Sequence, residues 1–272
     1  MTDSFNSFAP KDLSRITSDS FVASIQFHER LASTNDQGLL LAAKDDLPTP
    51  LLILAQEQTQ GRGRGNNPWR TRPGALTFSL VIGGERFGLS SERGMAISLV
   101  TAIAVRDALA DLHPTGDFVL KWPNDVYLGT AKIAGILLER SASRPSRLIV
   151  GIGINVNNAM SQVAHEFSQP ATSLREATGK SHSLTGALQT VLTRLGWWYE
   201  SFAADDVNWV SHWRRHCLLN GRHVRVLAGT RPVTGICGGI DPHGALLVQN
   251  ETGTHTLISG TIEHFESTSP QR

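Results

Sequence analysis

Apolar and polar positions divide this chain into two unlike stretches. Up to about residue 218, short apolar runs trade places with longer segments of helical period. Leu51 to Ala55 is an unbroken apolar run, which reads as a buried strand delivering Gln56, Gln58 and the glycines beyond them. Residues 76–82 alternate, with Thr77 and Ser79 set against Phe78, Leu80 and Ile82, as a strand with two unlike faces would. Ser90 or Ser91 can cap a helix over about 92–112, where Met95, Ile97, Leu99, Val100, Ile103, Ala104 and Leu109 fill one broad face. Phe118, Val119 and Leu120 predict a strand that ends at Pro123, since proline lacks a ladder donor and restricts the residue before it. Val126-Tyr127-Leu128 and residues 132–138 predict a hairpin turning at Gly129-Thr130. Residues 148–157 predict a further strand, with Gly151 and Gly153 at alternate positions. A helix is expected from Ser183 to about Ala204, then a second through Trp209 and Trp213, whose spacing marks a core-facing stripe. From Asn220 the pattern changes to short strands punctuated by glycine, Asp-Pro and asparagine, which predicts a small all-β barrel.

Composition narrows the picture. A chain of 272 residues, 40% hydrophobic and 18% charged, can bury an adequate core and suits one large and one small domain. A net charge of +1 offers no global attraction to nucleic acid or to an anionic membrane. Arg62, Arg64, Arg70 and Arg72 are a local concentration, which fits a small anionic ligand. Cys217 and Cys237 are the only cysteines and form no C-x-x-C pair, so neither a zinc site nor a disulfide framework is indicated. The first fifteen residues are mostly polar, with Phe5 and Phe8 among them, lack a signal-peptide core, and with the next few read as a loose lead-in. The longest apolar run, 96–105, is broken by Ser98 and Thr101 and is too short for a bilayer, so a cytoplasmic protein is expected. No G-x-x-x-x-G-K-[ST] occurs, which argues against a phosphate-loop NTPase.

Two segments carry candidate chemistry. Gly61-Arg62-Gly63-Arg64-Gly65-Asn66-Asn67-Pro68-Trp69 interleaves glycines, which permit close backbone approach, with arginines, whose fixed fork suits phosphate or carboxylate oxygens. Its tryptophan offers a face on which a base could stack. The segment is either a solvated basic turn or a loop that closes over something flat and anionic. The second is Lys121-Trp122-Pro123-Asn124-Asp125-Val126-Tyr127-Leu128 with Lys132 and Gly135. Asn124-Asp125 sit where the chain leaves a strand, a usual place for working side chains. Lys132 is carried on a rigid strand, facing either solvent or a site. Gly151 and Gly153 weaken a strand unless something approaches its backbone, so a ligand or Lys132 lies over them, or the strand bulges there. Ser33-Thr34-Asn35 can cap a helix beginning near Asp36, can fix a ligand's polar groups, or can do both.

The glycine–arginine loop, "KWPNDV", the later lysine and "GIGINVN" occur together in an order and at a spacing that resemble the biotin–protein ligase family. The resemblance is strong over about 25–160 and general elsewhere. It departs at Asn66 and Asn67, where many members carry a further Gly-Arg pair, which bears on the number of arginine contacts to phosphate. The resemblance implies an α+β fold: a mixed-sheet catalytic domain with packed helices, of the biotin/lipoate ligase type and related to class II synthetase catalytic domains, then an SH3-like barrel. The implied division is a lead-in over 1–20, a biotin- and ATP-binding domain over 21–218, and the barrel over 219–272. It implies an enzyme that uses ATP and Mg2+ to make biotinyl-5′-AMP, then biotinylates a lysine on the biotin carboxyl carrier domain of acetyl-CoA carboxylase or a related carboxylase. Lys132, Arg64 and Asp125 are the implied catalytic residues. Biotin is expected at Ser33, Thr34, Asn35, Gln58, Arg62, Gly63, Arg64, Lys132 and Gly135, and the adenylate at Arg62, Arg64, Trp69, Asn124, Lys132 and Asn155. Magnesium is expected on the ATP phosphates, and a homodimer is left open. Members that repress transcription carry a winged helix-turn-helix ahead of the ligase domain; Ser33-Thr34-Asn35 falls too early to leave room for one, so no DNA binding is expected. The rivals are a lipoate–protein ligase and a non-catalytic biotin- or nucleotide-binding module.

Overall fold

The structure is a computed structural model that describes residues 5–65, 67–83, 87, 93–162 and 169–266. Seven strands form one mixed sheet: β1 (Ser24–Leu31), β2 (Leu51–Gln58), β3 (Ala75–Gly83), β4 (Phe118–Lys121), β5 (Asp125–Leu128), β6 (Ala131–Arg140) and β7 (Arg147–Asn155). Their spatial order is β1-β2-β3-β7-β6-β5-β4, with β1 and β2 parallel and every other neighbour antiparallel.

The alternation read along residues 76–82 sorts the sheet into two faces. Leu76, Phe78, Leu80 and Ile82 point to the back with Leu148, Val150, Ile152 and Ile154 of β7, and all are buried in the main core. Helices α3 (Gly94–Leu112) and α5 (Leu184–Ala203) cover this face and pack on each other. Each fully buried large apolar side chain there stabilises the fold by about 1.5–3 kcal/mol. The front is divided along the strands. At one end Leu51, Ile53, Val81 and Ile149 pack under α2 (Thr34–Ala42), together with Leu41 and Ala42 of that helix. At the other end the same face carries Ala55, Ser79, Gly151 and Gly153, so no bulky side chain rises from the floor.

Helix α3 begins at Gly94 with Arg93 preceding it, and the cap expected at Ser90 or Ser91 lies outside the described residues. Helix α5 is capped by Ser183, whose hydroxyl accepts from the Gly186 amide at 3.1 Å. Helices α4 (Leu174–Thr178) and α6 (Trp209–His216) follow the sheet and α5, and Trp209 and Trp213 are buried as their spacing predicts. The loose lead-in expected over 1–20 is corrected: residues Pro10–Asp19 form helix α1. Proline is tolerated in its first turn, Asp12 accepts from the Ala9 amide at 3.2 Å, and Ile16 is fully buried. Phe8 is buried as well, 5.9 Å from the ring of Phe27. Among the described residues no helix is long and apolar enough to cross a membrane.

The C-terminal strands β8 (His223–Ala228), β9 (Arg231–Ile240), β10 (Leu246–Asn250), β11 (Gly253–Leu257) and β12 (Thr261–Phe265) make an antiparallel sheet in the order β11-β10-β9-β8-β12. Its apolar residues, among them Val224, Val226, Ile240 and Leu246, join the same core as the large sheet. Among the described residues, hydrogen bonds tie this C-terminal part and the segment leading into it to the large sheet and α6: Leu218 amide to Leu120 carbonyl (2.8 Å), Trp122 Nε1 to Gly244 carbonyl (3.1 Å), and Arg214 Nε and Nη2 to Ile240 carbonyl (3.0 and 2.5 Å).

Candidate active site

A cleft of about 760 Å³ lies over the small-residue half of the front face and reaches to the C-terminal sheet at Gly229 and residues 259–262. Every residue expected to act in catalysis or to contact biotin or the adenylate lines it.

The glycine loop is a tight hairpin. The Gly63 amide donates to Asn67 carbonyl at 2.8 Å and the Trp69 amide to Gly61 carbonyl at 2.9 Å. The two arms run so close that a Cβ on Gly61 would collide with the backbone of Trp69, and Gly65 has φ +65°. Glycine is required there because only it adopts both conditions without a clash. Asn66 lies outside the described residues.

The loop's two arginines part company. Arg64 is half-buried and donates to Gly260 carbonyl at 2.7 Å, so it spans the cleft to the C-terminal sheet. Burial holds its proton affinity below the usual arginine range, with Asp125 acting in the opposite sense. Arg62, expected to face the ligand's anions, instead grips two carboxylates of the protein. It pairs bidentately with Glu139 at 3.0 and 2.6 Å and with Asp36 at 2.7 Å. The Glu139 hydrogen bond raises its pKa, burial opposes this, and Asp36 adds to the rise. A planar guanidinium prefers such a fork, and Glu139 and Asp36 supply it.

The polar end of the cleft is a closed network. Ser33 caps α2 by accepting from the Asp36 amide at 3.3 Å. Gln58 Oε1 accepts from the Thr34 amide (2.7 Å) and hydroxyl (3.0 Å), while its Nε2 donates to Thr71 at 3.2 Å. Asn35 donates to Glu139 at 2.8 Å and to Leu137 carbonyl at 3.2 Å. Ser79 Oγ lies 2.7 Å from Thr34 Oγ1 and 2.6 Å from Asn35 Oδ1. Capping and lining therefore coexist in one segment.

No bulge accounts for Gly151 and Gly153, and Lys132 is not among the nearest atoms that a Cβ at either position would meet. β7 keeps an unbroken register with both neighbours. A Cβ on Gly151 would overlap the amide of Asn35, and one on Gly153 would overlap the indole of Trp69. The two glycines make room for side chains that wall the cleft.

The bulge lies elsewhere. Between β5 and β6 the register slips by one residue, from Val126 opposite Ala134 to Tyr127 opposite Lys132. Regular alternation would send Lys132 to the back face with Ala134. The slip turns it to the front, where a Cβ on Gly135 would sit 3.3 Å from Lys132 Nζ. Lys132 Nζ then pairs with Asp125 Oδ1 at 2.6 Å, about a third of the lysine side chain remaining open to the cleft. Asn124 is locked in place by donating to Ile136 carbonyl at 2.6 Å, and Asn155 accepts from Asn158 at 3.0 Å.

Sequence reasoning missed Lys121. It is buried, with Nζ 2.9 Å from Gln169 Oε1, 3.2 Å from Tyr127 Oη, and over the rings of Tyr127 and Phe265. Burial lowers its pKa to about 8, with Asp125 opposing and Lys132 adding to the fall. A lysine ending a strand of otherwise apolar residues was the available signal. No signal marked Gly260, which reaches the cleft only through tertiary packing.

Residues 27–157 match the model of the Biotin/lipoate A/B protein ligase family, and residues 220–264 that of the biotin protein ligase C-terminal domain. The biotin protein ligase of Aquifex aeolicus, solved in complex with biotin and ATP, superposes with a TM-score of 0.77 at 30% identity, covering 89% of this chain and 98% of that one. A biotin--[acetyl-CoA-carboxylase] ligase of Paracoccus denitrificans is 31% identical over 86% of this chain and 97% of its own length. The bifunctional ligase/repressor BirA of Bacillus subtilis is 29% identical over 87% of this chain and 73% of its own. Fold, cleft and relatives define an enzyme of the ligase class. The chain belongs to the biotin protein ligase family.

Proposed function

We propose that the chain is an ATP-dependent biotin protein ligase that works in two steps, and that Arg64, Lys132 and the loop amides gather two anions in its cleft. One oxygen of the biotin carboxylate attacks the α-phosphorus of ATP, the bond to the β-phosphate breaks, and pyrophosphate leaves with biotinyl-5′-AMP formed. Magnesium enters with ATP as the complex of its phosphates. The amine of a carrier lysine then attacks the acyl carbon, AMP leaves, and a proton is lost from nitrogen. The acceptor is the biotin carrier domain of acetyl-CoA carboxylase or a related carboxylase.

The observation that carries this reading is that Arg64 and Lys132 line one cleft together with the hydrogen-bonded amide and hydroxyl of Gln58 and Thr34. Preorganised cations cost no reorganisation as charge develops at phosphorus. Neutral amides and hydroxyls suit an ureido ring, which carries dipoles and no net charge. Trp69, seated on Gly153, presents its ring to the nucleotide, and Asn124 and Asn155 border the adenylate. Asp125 takes the proton from the incoming amine. Biotin-dependent ATP–pyrophosphate exchange tests the first step, and Lys132→Ala should slow it about 10²–10³-fold. A purified chain that shows no exchange with biotin, or equal exchange with lipoate, overturns the proposal.

A further inference from the structure

Glu139 is a carboxylate that stands beside the cleft without lining it. It sits on β6 opposite Ile149 of β7, where the pairing is regular, so its backbone is fixed. Both oxygens are engaged. Oε1 accepts from Arg62 Nη1 at 3.0 Å, and Oε2 accepts from Arg62 Nη2 at 2.6 Å and from Asn35 Nδ2 at 2.8 Å. Asp36 adds a further carboxylate oxygen 2.7 Å from Arg62 Nη2. One strand residue thus ties the first arm of the glycine loop to the start of α2. That arm, residues 61–65, has little hold of its own. Gly61, Gly63 and Gly65 give it much conformational freedom to lose. Among the described residues, backbone bonds from this segment to the body stop at Gln60, whose amide donates to Ala32 carbonyl at 2.9 Å, and those beyond it join one arm of the hairpin to the other. The arm is fastened to the body by side chains: Arg62 to Glu139 and Asp36, and Arg64 to Gly260 carbonyl. A partly exposed ion pair adds little to global stability, so this fastening acts on where the arm sits.

We propose that Glu139 is a positioning residue for the ligation: through Arg62 and Asn35 it keeps the 61–65 arm against the cleft, and so retains bound biotin and the biotinyl-adenylate made from it. This rests on the functional reading above and deepens it. Asn35 and residues 62–65 line the cleft, so one carboxylate fixes two of its walls together. The paired N–H···O bonds of the fork set the arginine's orientation as well as its distance. An acyl-adenylate is a mixed anhydride that water hydrolyses, and its enzyme must hold it until the acceptor amine arrives. Glu139 and Asp36 also neutralise Arg62, which leaves Arg64 and Lys132 as the cations offered to the ligand.

The test is a double-mutant cycle on the full chain with Glu139→Gln, Arg62→Met and the two combined. Labelled biotinyl-5′-AMP is made on the protein from labelled biotin and ATP, and its release is timed against a chase of unlabelled biotin. Glutamine keeps the volume and an acceptor for Asn35, and loses the charged fork. Each single substitution should speed release about 3- to 10-fold, as expected for charge-assisted hydrogen bonds partly screened by solvent. The combined variant should release no faster than either single one, because both remove the same contact. Pyrophosphate exchange by Glu139→Gln at saturating biotin and ATP should hold, and so should its melting temperature; a merely structural role would lower both. Unchanged or slower release in the single variants overturns the proposal, as do effects that multiply in the combined variant. A fall in the melting temperature of Glu139→Gln with release unchanged in Arg62→Met overturns it too. In each of these cases the parent still forms the adenylate and the functional reading stands. A parent chain that forms no biotinyl-adenylate overturns that reading and this proposal together.

Discussion

Replacing Lys121 with methionine should stabilise the protein at neutral pH. The ammonium is 4% exposed, and burial brings its pKa from the ordinary 10.5 to about 8. Holding the charge in the native state therefore costs at most about 3.5 kcal/mol, at about 1.4 kcal/mol per tenfold change in proton affinity. Bonds to Gln169 and Tyr127 and two aromatic faces offset part of that cost. Methionine keeps the aliphatic stem, and Tyr127 still donates to Gln169 at 2.6 Å, so no hydroxyl is orphaned. The expected gain is about 1–3 kcal/mol at pH 7, or a few degrees to about ten in melting temperature for a chain of this size. The pH dependence has a definite sign. Below pH 8 the lysine is charged in both states and the native state bears the full penalty. Between pH 8 and 10.5 the native state sheds the proton while the unfolded chain keeps it, so the parent gains stability relative to the variant as pH rises. Urea unfolding of both proteins from pH 6.5 to 10 measures the gap, which should be widest below pH 8 and shrink above it. A variant less stable than the parent at pH 7, or a gap flat across the range, refutes the reasoning. The parent's tolerance of this cost fits a functional use of the second cation beside the Asp125–Lys132 pair.

Adding one methyl group on the cleft floor should separate the two substrates. Gly153→Ala must displace the indole of Trp69 and should weaken ATP while sparing biotin, whereas Gly151→Ala must displace the amide of Asn35 and should do the reverse; binding titrations of each ligand check both, and identical effects would refute the division. Asp125→Asn should slow transfer from preformed biotinyl-adenylate to a carrier domain. Loss of adenylate synthesis alone would reduce Asp125 to a residue that positions Lys132 through the 2.6 Å ion pair.

Much of the scaffold was legible along the chain because its signals are local. The period-two alternation of residues 76–82, the apolar run at 51–55 and the Gly129-Thr130 turn each specify a strand or its end through neighbouring residues alone. The tryptophan pair at 209 and 213 did the same for α6. By contrast β1, a half-buried edge strand, carries no apolar run and shows only the short alternation of Ile25 and Phe27 with Gln26 and His28, a weaker signal. α1 was missed because its helix depends on docking Ile16 into a core supplied by distant residues.

The residue types of the cleft were likewise written in the sequence: glycines where backbones must close, arginines, a lysine and amides in a recognisable order. What they touch was not. Arg62 pairs with Glu139, 77 positions away, and Arg64 reaches Gly260, 196 positions away. Lys132 faces the cleft only because the β5–β6 register slips by one residue. Local pattern sets backbone preference within a few residues, so the chain by itself determined most of its elements, α1 and β1 excepted, and its chemical vocabulary. Partner choice among charged and polar groups depends on which side chains the folded sheet brings within hydrogen-bonding distance, and that was decided by tertiary packing alone.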